Sequence, residues 1–334
     1  MIALNSERIM MLKRGVSIAV ALGIWFAPIP AGLTSQAWHL FAIFASAIFS
    51  IILAAFPLLT ASILAVAAAV LTGTVDPAKA FAGFANASVL LVVVAFLVAH
   101  SVVKSGLGKR ISLIVVSVLG RSTLGLGYSI FLTDAAIAPA FPSNTARGGV
   151  LFPVVLSLAE NAGSKPEDPE GRRLGGYLMY CGIASLAVSS ALWLTATSVN
   201  PIGVDIAGHF GLKIDFGSWL IAASVPALTA ILLLPLVLYK LFPPGVTATP
   251  DAPAAARETL RSMGPLTRDE KIVALAFGLM VAGWIMAGAL KLNVTGVALP
   301  GLVRSSRPAS SLSTISPSRE TRSQHFSGSR CSSR

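Results

Sequence analysis

The stretch that decides the fold reads Ala138-Pro-Ala-Phe-Pro-Ser-Asn-Thr-Ala-Arg147, and it lies in the middle of an apolar segment that covers residues 124–160. Two prolines and a run of small polar side chains interrupt this segment and leave an apolar arm on each side. An arm of about 14 helical residues is about 21 Å long, which is less than the hydrocarbon thickness of about 30 Å. The pattern therefore predicts a re-entrant helical hairpin whose tip lies inside the membrane.

The composition of the whole chain is typical of a protein solvated by lipid. Hydrophobic residues make up 54% of the 334 residues and charged residues only 12%, about half the share in soluble domains. Charged side chains are costly in hydrocarbon, so this deficit indicates an all-α polytopic membrane protein whose main partner is the lipid bilayer. The net charge of +11 lies in short connections between apolar runs, which argues against a nucleic-acid partner.

Apolar runs long enough for membrane helices recur through residues 1–300, which we interpret as one transmembrane domain. Besides the hairpin at 124–160, they cover residues 15–33, 37–55, 58–75, 88–103, 174–209, 219–241 and 272–290. Residues 106–120 mix apolar with polar and basic side chains, which predicts an amphipathic helix at the membrane surface, with a short span as the alternative. Residues 242–268 are interpreted as a charged linker rich in Pro and Ala.

The run at 174–209 contains a second break, Leu194-Thr-Ala-Thr-Ser-Val-Asn-Pro201. Irregular backbone at membrane depth is tolerated where it is buried in protein or lines a watery cavity. Two interrupted segments that meet near the bilayer midplane are a common plan of secondary transporters. The alternative is that both breaks are structural kinks, with hydroxyl groups bonded back to their own helices.

The tip residues have side chains that suit anion binding. Ser143, Asn144 and Thr145 belong to the residue types that cap helix N-termini. The helix that starts behind them presents free amide groups and a partial positive charge, which attract a carboxylate. Arg147 adds charge to this site, pairs with Asp134 of the first arm, or lies in the cytoplasmic interface. Asp134 either takes part in that pairing or has a proton or ion role.

The remaining sequence signals concern orientation and chemistry. Basic residues concentrate in the connections on one side of the predicted spans, which places the N-terminus and the hairpin opening in the cytoplasm. The sequence has no nucleophile-elbow motif and no zinc-protease motif, and Cys181 and Cys331 have no metal-ligand spacing. We therefore expect neither an enzyme nor a metal centre.

The tip motif resembles the hairpin signature of the divalent anion/sodium symporter family, and within it the bacterial citrate/succinate exchangers and the plastid 2-oxoglutarate/malate translocators. Further stretches are similar in the expected order: Ser35-Gln-Ala-Trp38, Lys104-Ser-Gly-Leu-Gly108, Gly163-Ser-Lys-Pro-Glu-Asp-Pro169, Leu241-Phe-Pro-Pro244 and Met263-Gly-Pro-Leu-Thr-Arg268. The resemblance implies the first inverted repeat of an elevator-type fold. It also implies a homodimer and secondary transport of dicarboxylates and tricarboxylates across a bacterial inner membrane.

The breaks and the resemblance together name candidate site residues. The predicted substrate-binding residues are Ser143, Asn144, Thr145, Thr197 and Asn200. A cation site, where the family has one for sodium, would use Ser143, Asn144, Ala196 and Thr197. Pro139 stands where sodium-coupled members carry a serine, which favours exchange of one carboxylate for another without a cofactor.

The sequence changes character at its C-terminal end. Residues 301–334 are rich in Ser and Arg, and we expect a disordered tail that arises from a shifted reading frame. Only the first span of a second repeat precedes this tail, so a truncated transporter that is inactive alone is the leading expectation. The alternative is an anion-permeable or scaffold membrane subunit that a second chain completes.

Overall fold

The computed structural model of the chain describes residues 6–164, 171–290 and 296–297. Within these ranges the regular structure is helical apart from one isolated bridge between Ser122 and Ala248, so the prediction of an all-α protein is confirmed. The predicted tail at 301–334 lies outside the described residues. The α-helices, in chain order, are α1 Ser6–Trp25, α2 Ser35–Ile52, α3 Leu58–Leu71, α4 Pro77–Phe81, α5 Ala87–Ser105, α6 Leu107–Leu119, α7 Thr123–Ile137, α8 Asn144–Asn161, α9 Gly171–Leu192, α10 Val199–His209, α11 Phe216–Leu241, α12 Ala252–Ser262 and α13 Arg268–Leu290.

Several of these helices have the length and composition of membrane spans. Four helices in the described part of the chain qualify, namely Ser35–Ile52, Arg173–Leu192, Phe216–Leu241 and Arg268–Gly288. A pair bent by 48°, Pro77–Ala85 with Val89–Ser105, makes a fifth if it is counted as one span. The first helix starts at Ser6 and ends at Trp25, so it begins and ends earlier than the predicted run at 15–33. Pro28 and Pro30 follow that end, and proline does not continue a helix.

Helix α9 is the centre of the bundle around the hairpin. It packs against both hairpin arms, α7 and α8, and against α11. The core between them is formed by buried apolar side chains, including Leu126, Leu151 and Leu178. Gly127 allows the close approach of α7 and α9, because a Cβ atom there would collide with the hydroxyl of Tyr177. That hydroxyl donates a hydrogen bond to the Pro235 carbonyl at 3.2 Å and so ties α9 to α11.

Helix α11 begins at a well-defined polar cap. The Asp215 carboxylate accepts a hydrogen bond from the Ser218 amide at 2.7 Å, and the Ser218 hydroxyl accepts one from the Asp215 amide at 2.9 Å. This reciprocal cap satisfies amide groups that the first helical turn leaves open. The hydrogen bonds from Ser218 also hold the pKa of the Asp215 carboxyl below its ordinary value.

The charged segment at 242–268, interpreted from the sequence as a linker rich in Pro and Ala, contains a packed helix that the sequence interpretation did not include. Its helix α12 packs on α6, with Ala252 and Ala256 buried. Ahead of α12, the chain pairs with the turn between α6 and α7: the Thr123 amide donates to the Thr247 carbonyl at 3.2 Å, and the Thr249 amide donates to the Arg121 carbonyl at 3.0 Å. The cause is the small-residue face of α12, which fits against an amphipathic partner helix that sequence alone did not pair with it.

Helix α6 is the predicted amphipathic helix at 106–120, and its polar side takes part in a buried ion pair. Arg110 Nε and Glu270 Oε1 lie 2.8 Å apart, and the side chains are 9% and 2% exposed. Arg110 Nη1 also donates to the Gly264 carbonyl at 3.0 Å, and Glu270 accepts from the Thr267 amide at 2.8 Å. These bonds join α6, the end of α12 and the start of α13 into one unit.

We expect Glu270→Ala to lower the free energy of unfolding by about 3 to 5 kcal/mol, because it leaves the buried Arg110 charge without its partner. Thermal unfolding of the detergent-solubilised chain measures this loss. The matched control is Glu258→Ala, which removes an exposed contact to Arg261 at 3.8 Å and should change stability by less than about 0.5 kcal/mol. Equal effects of the two variants would contradict the structural role of the buried pair.

Candidate functional site

The hairpin tip is the turn between α7 and α8. Helix α7 ends in a short 3₁₀ turn at Ala138–Ala140, and α8 begins at Asn144. Ser143 is the N-cap residue of α8, with extended backbone and a hydroxyl that accepts a hydrogen bond from the Ala146 amide at 3.3 Å. The prolines at the turn and the capping serine explain why the helix stops and restarts here.

The second break separates α9, which ends at Leu192, from α10, which begins at Val199. Residues 193–198 connect the two helices without regular helical structure. The break is therefore shorter than the predicted 194–201. Pro201 lies in the first turn of α10, where a helix has no internal partner for the missing amide group.

The structure brings the tip and the second break together. The Ser198 amide donates to the Pro142 carbonyl at 3.0 Å, and the Thr195 hydroxyl donates to the Pro139 carbonyl at 2.9 Å. Ser143 and Thr197 are the chain neighbours of the residues joined by the first of these bonds. Because α8 and α10 both begin at this junction, the positive ends of two helix dipoles meet in one place.

A buried ion pair lies directly beneath the tip. Arg147 Nε and Asp134 Oδ1 are 2.8 Å apart, and both side chains are fully buried. The Ser189 hydroxyl donates a further hydrogen bond to the Asp134 carboxylate. The alternative in which Arg147 pairs with Asp134 is therefore the one the structure adopts, and Arg147 does not point into open space.

Arg147 also binds the segments around it. Its Nη1 donates to the Ala196 carbonyl at 3.1 Å, and its Nη2 donates to the Leu186 carbonyl and the Ser190 hydroxyl, both at 2.8 Å. A third Nη2 contact, to Asn144 Oδ1, is 3.2 Å long. One guanidinium group thus connects both hairpin arms, α9 and the second break. Because the ion pair with Asp134 is neutral overall, the positive potential at the surface of the junction comes from the helix N-termini.

A groove of about 450 Å³ opens beside the tip, between α8 and α9. Its walls are apolar except at the tip end, where two predicted site residues lie. The lining residues are Asn144, Thr145, Gly148, Gly149, Phe152, Pro153 and Leu186. Ser143, Thr197 and Asn200 are outside this lining. The donors of the Asn200 amide instead bind the end of α9, at the Ser190 carbonyl (2.8 Å) and the Trp193 carbonyl (3.2 Å).

Sequence reasoning missed Ser190, which contacts both Arg147 and Asn144. The available signal was the group of serines at 185, 189 and 190 within an apolar helix. Serines of this kind usually bond back to their own helix, so the group by itself did not indicate a site. Their role depends on where α8 places Asn144 and Arg147.

Comparison with known proteins identifies the relatives of the chain. A family model described as the sodium:sulfate symporter transmembrane region matches residues 9–304. The putative malate transporter YflS of Bacillus subtilis is 41% identical over 289 residues, which are 86% of this chain and 60% of that protein.

Two further relatives give a similar result. Dicarboxylate transporter 2 of Spinacia oleracea chloroplasts is 42% identical over 86% of this chain and 52% of its own length. The citrate/succinate antiporter of Escherichia coli is 34% identical over 84% of this chain and 63% of its own length. The chain thus spans between about half and just under two thirds of the length of these curated relatives.

We expect Asp134→Asn to lower the free energy of unfolding by about 3 to 5 kcal/mol, because Arg147 would keep a buried charge without a counter-charge. Thermal unfolding in detergent measures the loss. The double variant Asp134→Asn/Arg147→Gln should be less destabilised than the sum of the two single variants, since neither residue then carries a charge. Additive losses would show that the two groups do not interact.

Proposed function

The chain belongs to the sodium:sulfate symporter transmembrane family, and from this membership we propose that the whole protein carries dicarboxylates and tricarboxylates across a membrane. It is a multi-pass membrane protein, and the family to which it belongs consists of membrane transporters and not of enzymes. The named relatives support carboxylates as the substrate class, since one is a putative malate transporter and others are a chloroplast dicarboxylate transporter and a citrate/succinate antiporter.

The observation that carries the proposal is the junction of the hairpin tip with the second break. Helices α8 and α10 begin there, and the Ser198–Pro142 hydrogen bond holds the two turns together. The positive end of the α8 dipole and the hydroxyl and amide side chains of Ser143, Asn144 and Thr145 together suit a carboxylate. We propose that these groups bind one carboxylate of the substrate, and that Thr197 lies at the edge of the same site.

A substrate with two or three carboxylates needs more than one such group of donors. The relatives extend well beyond the matched region, and the family resemblance implies a second repeat with its own tip. We propose that a second tip binds the distal carboxylate, that the whole protein works by an elevator-like motion, and that it forms a homodimer. Without a second tip, the residues described here should bind carboxylates weakly and support no exchange.

We propose exchange without sodium rather than sodium symport. One predicted cation ligand, the Ala196 carbonyl, accepts a hydrogen bond from Arg147 Nη1 at 3.1 Å, and another, Asn144 Oδ1, lies 3.2 Å from Arg147 Nη2. Both oxygens therefore face a guanidinium group whose charge Asp134 balances, so a further cation at these oxygens would lack a counter-charge. The identity of residue 139 supports the same proposal, because Pro139 stands where sodium-coupled members carry a serine.

The proposed location is the inner membrane of a bacterium, with the N-terminus in the cytoplasm. The relative YbhI of Escherichia coli is named an inner membrane protein, at 34% identity over 84% of this chain. The orientation rests on the basic residues of the connections, such as Lys104, Lys109 and Arg121, which are all exposed.

Counterflow of labelled malate in proteoliposomes tests the substrate site, with a protein that carries the full family region. We expect Ser143→Ala and Asn144→Ala each to reduce exchange about tenfold or more, because each removes a hydrogen bond to a charged group. Ser157→Ala and Asn161→Ala, at the far end of α8, are the matched controls and should exchange at the wild-type rate. Undiminished exchange by both tip variants would refute the site.

Replacement of all sodium by potassium tests whether malate exchange depends on sodium. We expect the rate of malate exchange to change by less than about twofold, because the Ala196 carbonyl and Asn144 Oδ1 face Arg147 whichever cation is present. The measurement is the initial rate at a constant ionic strength. A steep rise of the rate with sodium concentration would contradict the proposal of sodium-independent exchange and would leave the carboxylate site unaffected.

A further inference from the structure

We propose that Ser190 is a positioning residue for carboxylate recognition, because it fixes the Asn144 carboxamide with its oxygen inward and its amide hydrogens toward the groove. This inference rests on the proposed function and names a residue that lies outside the sequence motifs. Ser190 lies on α9 and is 9% exposed, while Asn144 is the first residue of α8 and lines the groove.

The orientation of the Asn144 side chain follows from its partners. Asn144 Oδ1 lies 2.6 Å from the Ser190 hydroxyl and 3.2 Å from Arg147 Nη2. A guanidinium group donates hydrogen bonds and accepts none, so the Asn144 atom that faces it must be the oxygen. The nitrogen of the same amide then points away from the ion pair, on the side where Asn144 borders the groove.

Ser190 holds this orientation more directly than Arg147 does. Arg147 Nη2 has two hydrogens and three acceptors, and the two at 2.8 Å, the Leu186 carbonyl and the Ser190 hydroxyl, are closer than Asn144 Oδ1. The Ser190 hydroxyl has one hydrogen and two acceptors nearby, the Leu186 carbonyl at 2.5 Å and Asn144 Oδ1 at 2.6 Å. Because Arg147 Nη2 already donates to the Leu186 carbonyl at 2.8 Å, we assign the hydroxyl hydrogen to Asn144. The resulting chain of hydrogen bonds runs from Arg147 through Ser190 to Asn144.

This arrangement separates the roles of the two asparagines at the junction. Asn144 presents only donors to the groove, which suits an ionised carboxylate, since that group only accepts. Asn200 uses its amide nitrogen on the Ser190 and Trp193 carbonyls, at 2.8 and 3.2 Å, and retains an acceptor. We therefore assign carboxylate binding to Asn144 and a helix-capping role to Asn200.

Exchange kinetics in the full family-length protein give the first test. Ser190→Ala should raise the apparent KM for malate about tenfold and leave kcat within about twofold, because the amide loses its fixed orientation and not its chemistry. Ser190→Thr keeps the hydroxyl and should restore a near wild-type KM. The control Ser129→Ala removes a buried hydroxyl that bonds to the Gly125 carbonyl of its own helix at 2.8 Å and should leave KM unchanged. An unchanged KM in Ser190→Ala overturns the proposal.

Asn144→Asp gives the second test, because it keeps the inward oxygen and replaces the outward nitrogen by oxygen. The variant should melt at or above the wild-type temperature, since Arg147 and Ser190 retain their acceptor. Its KM for malate should rise about thirtyfold or more, since a carboxylate would then face the substrate carboxylate. A wild-type KM in this variant would show that the Asn144 nitrogen does not face the substrate.

A double-mutant cycle on the chain itself gives the third test and needs no transport. Ser190→Ala, Asn144→Ala and the double variant are melted in detergent, and the double variant should be more stable than additivity predicts by about 2 to 4 °C. Strict additivity overturns the contact between Ser190 and Asn144 whatever the transport assays show. A different outcome is that the two substitutions are non-additive in melting temperature while the wild-type protein exchanges no malate. That outcome would count against the proposed function and not against the Ser190–Asn144 contact.

Discussion

The hairpin and the broken helix depend on the buried ion pair between Asp134 and Arg147. Each group would be strongly disfavoured alone in a membrane protein, so each requires the other at short range. Asp134 lies on the first hairpin arm and Arg147 on the second, and their 2.8 Å contact holds the arms in register below the tip. The remaining donors of Arg147 reach α9 and the second break, so that four segments share one cation.

This ion pair also determines the electrostatics of the junction. A free guanidinium beside an anion site would bind a carboxylate strongly, and a carrier must release its substrate. Here the Arg147 charge is neutralised by Asp134, and attraction of an anion is left to helix N-termini and to side-chain donors such as Asn144. These groups act through partial charges of modest size. The arrangement agrees with the proposed exchange of one carboxylate for another, in which binding must be selective and reversible.

A second layer of contacts attaches this core to its surroundings. The pair of Arg110 and Glu270 joins α6 to α13, and the chain at Val246 to Thr249 pairs with the turn that begins the first hairpin arm. Helix α12 covers α6 on its small-residue face. The hairpin bundle is thereby connected to the neighbouring helices through amphipathic elements and not through long flexible loops.

The sequence alone determined the class of protein and the positions of two helix interruptions, one at the tip and one at the second break. Composition revealed the membrane environment, because lipid excludes unpaired charge, and proline with small polar residues marked both interruptions, because they break the helical hydrogen-bond pattern locally. Family membership was also readable from the tip motif. The tertiary structure decided what these residues contact. The pairing of Asp134 with Arg147, the role of Ser190, the inward oxygen of Asn144 and the packing of α12 on α6 join residues from separate helices. Such contacts depend on how helices pack in space, which neither local propensity nor hydropathy encodes.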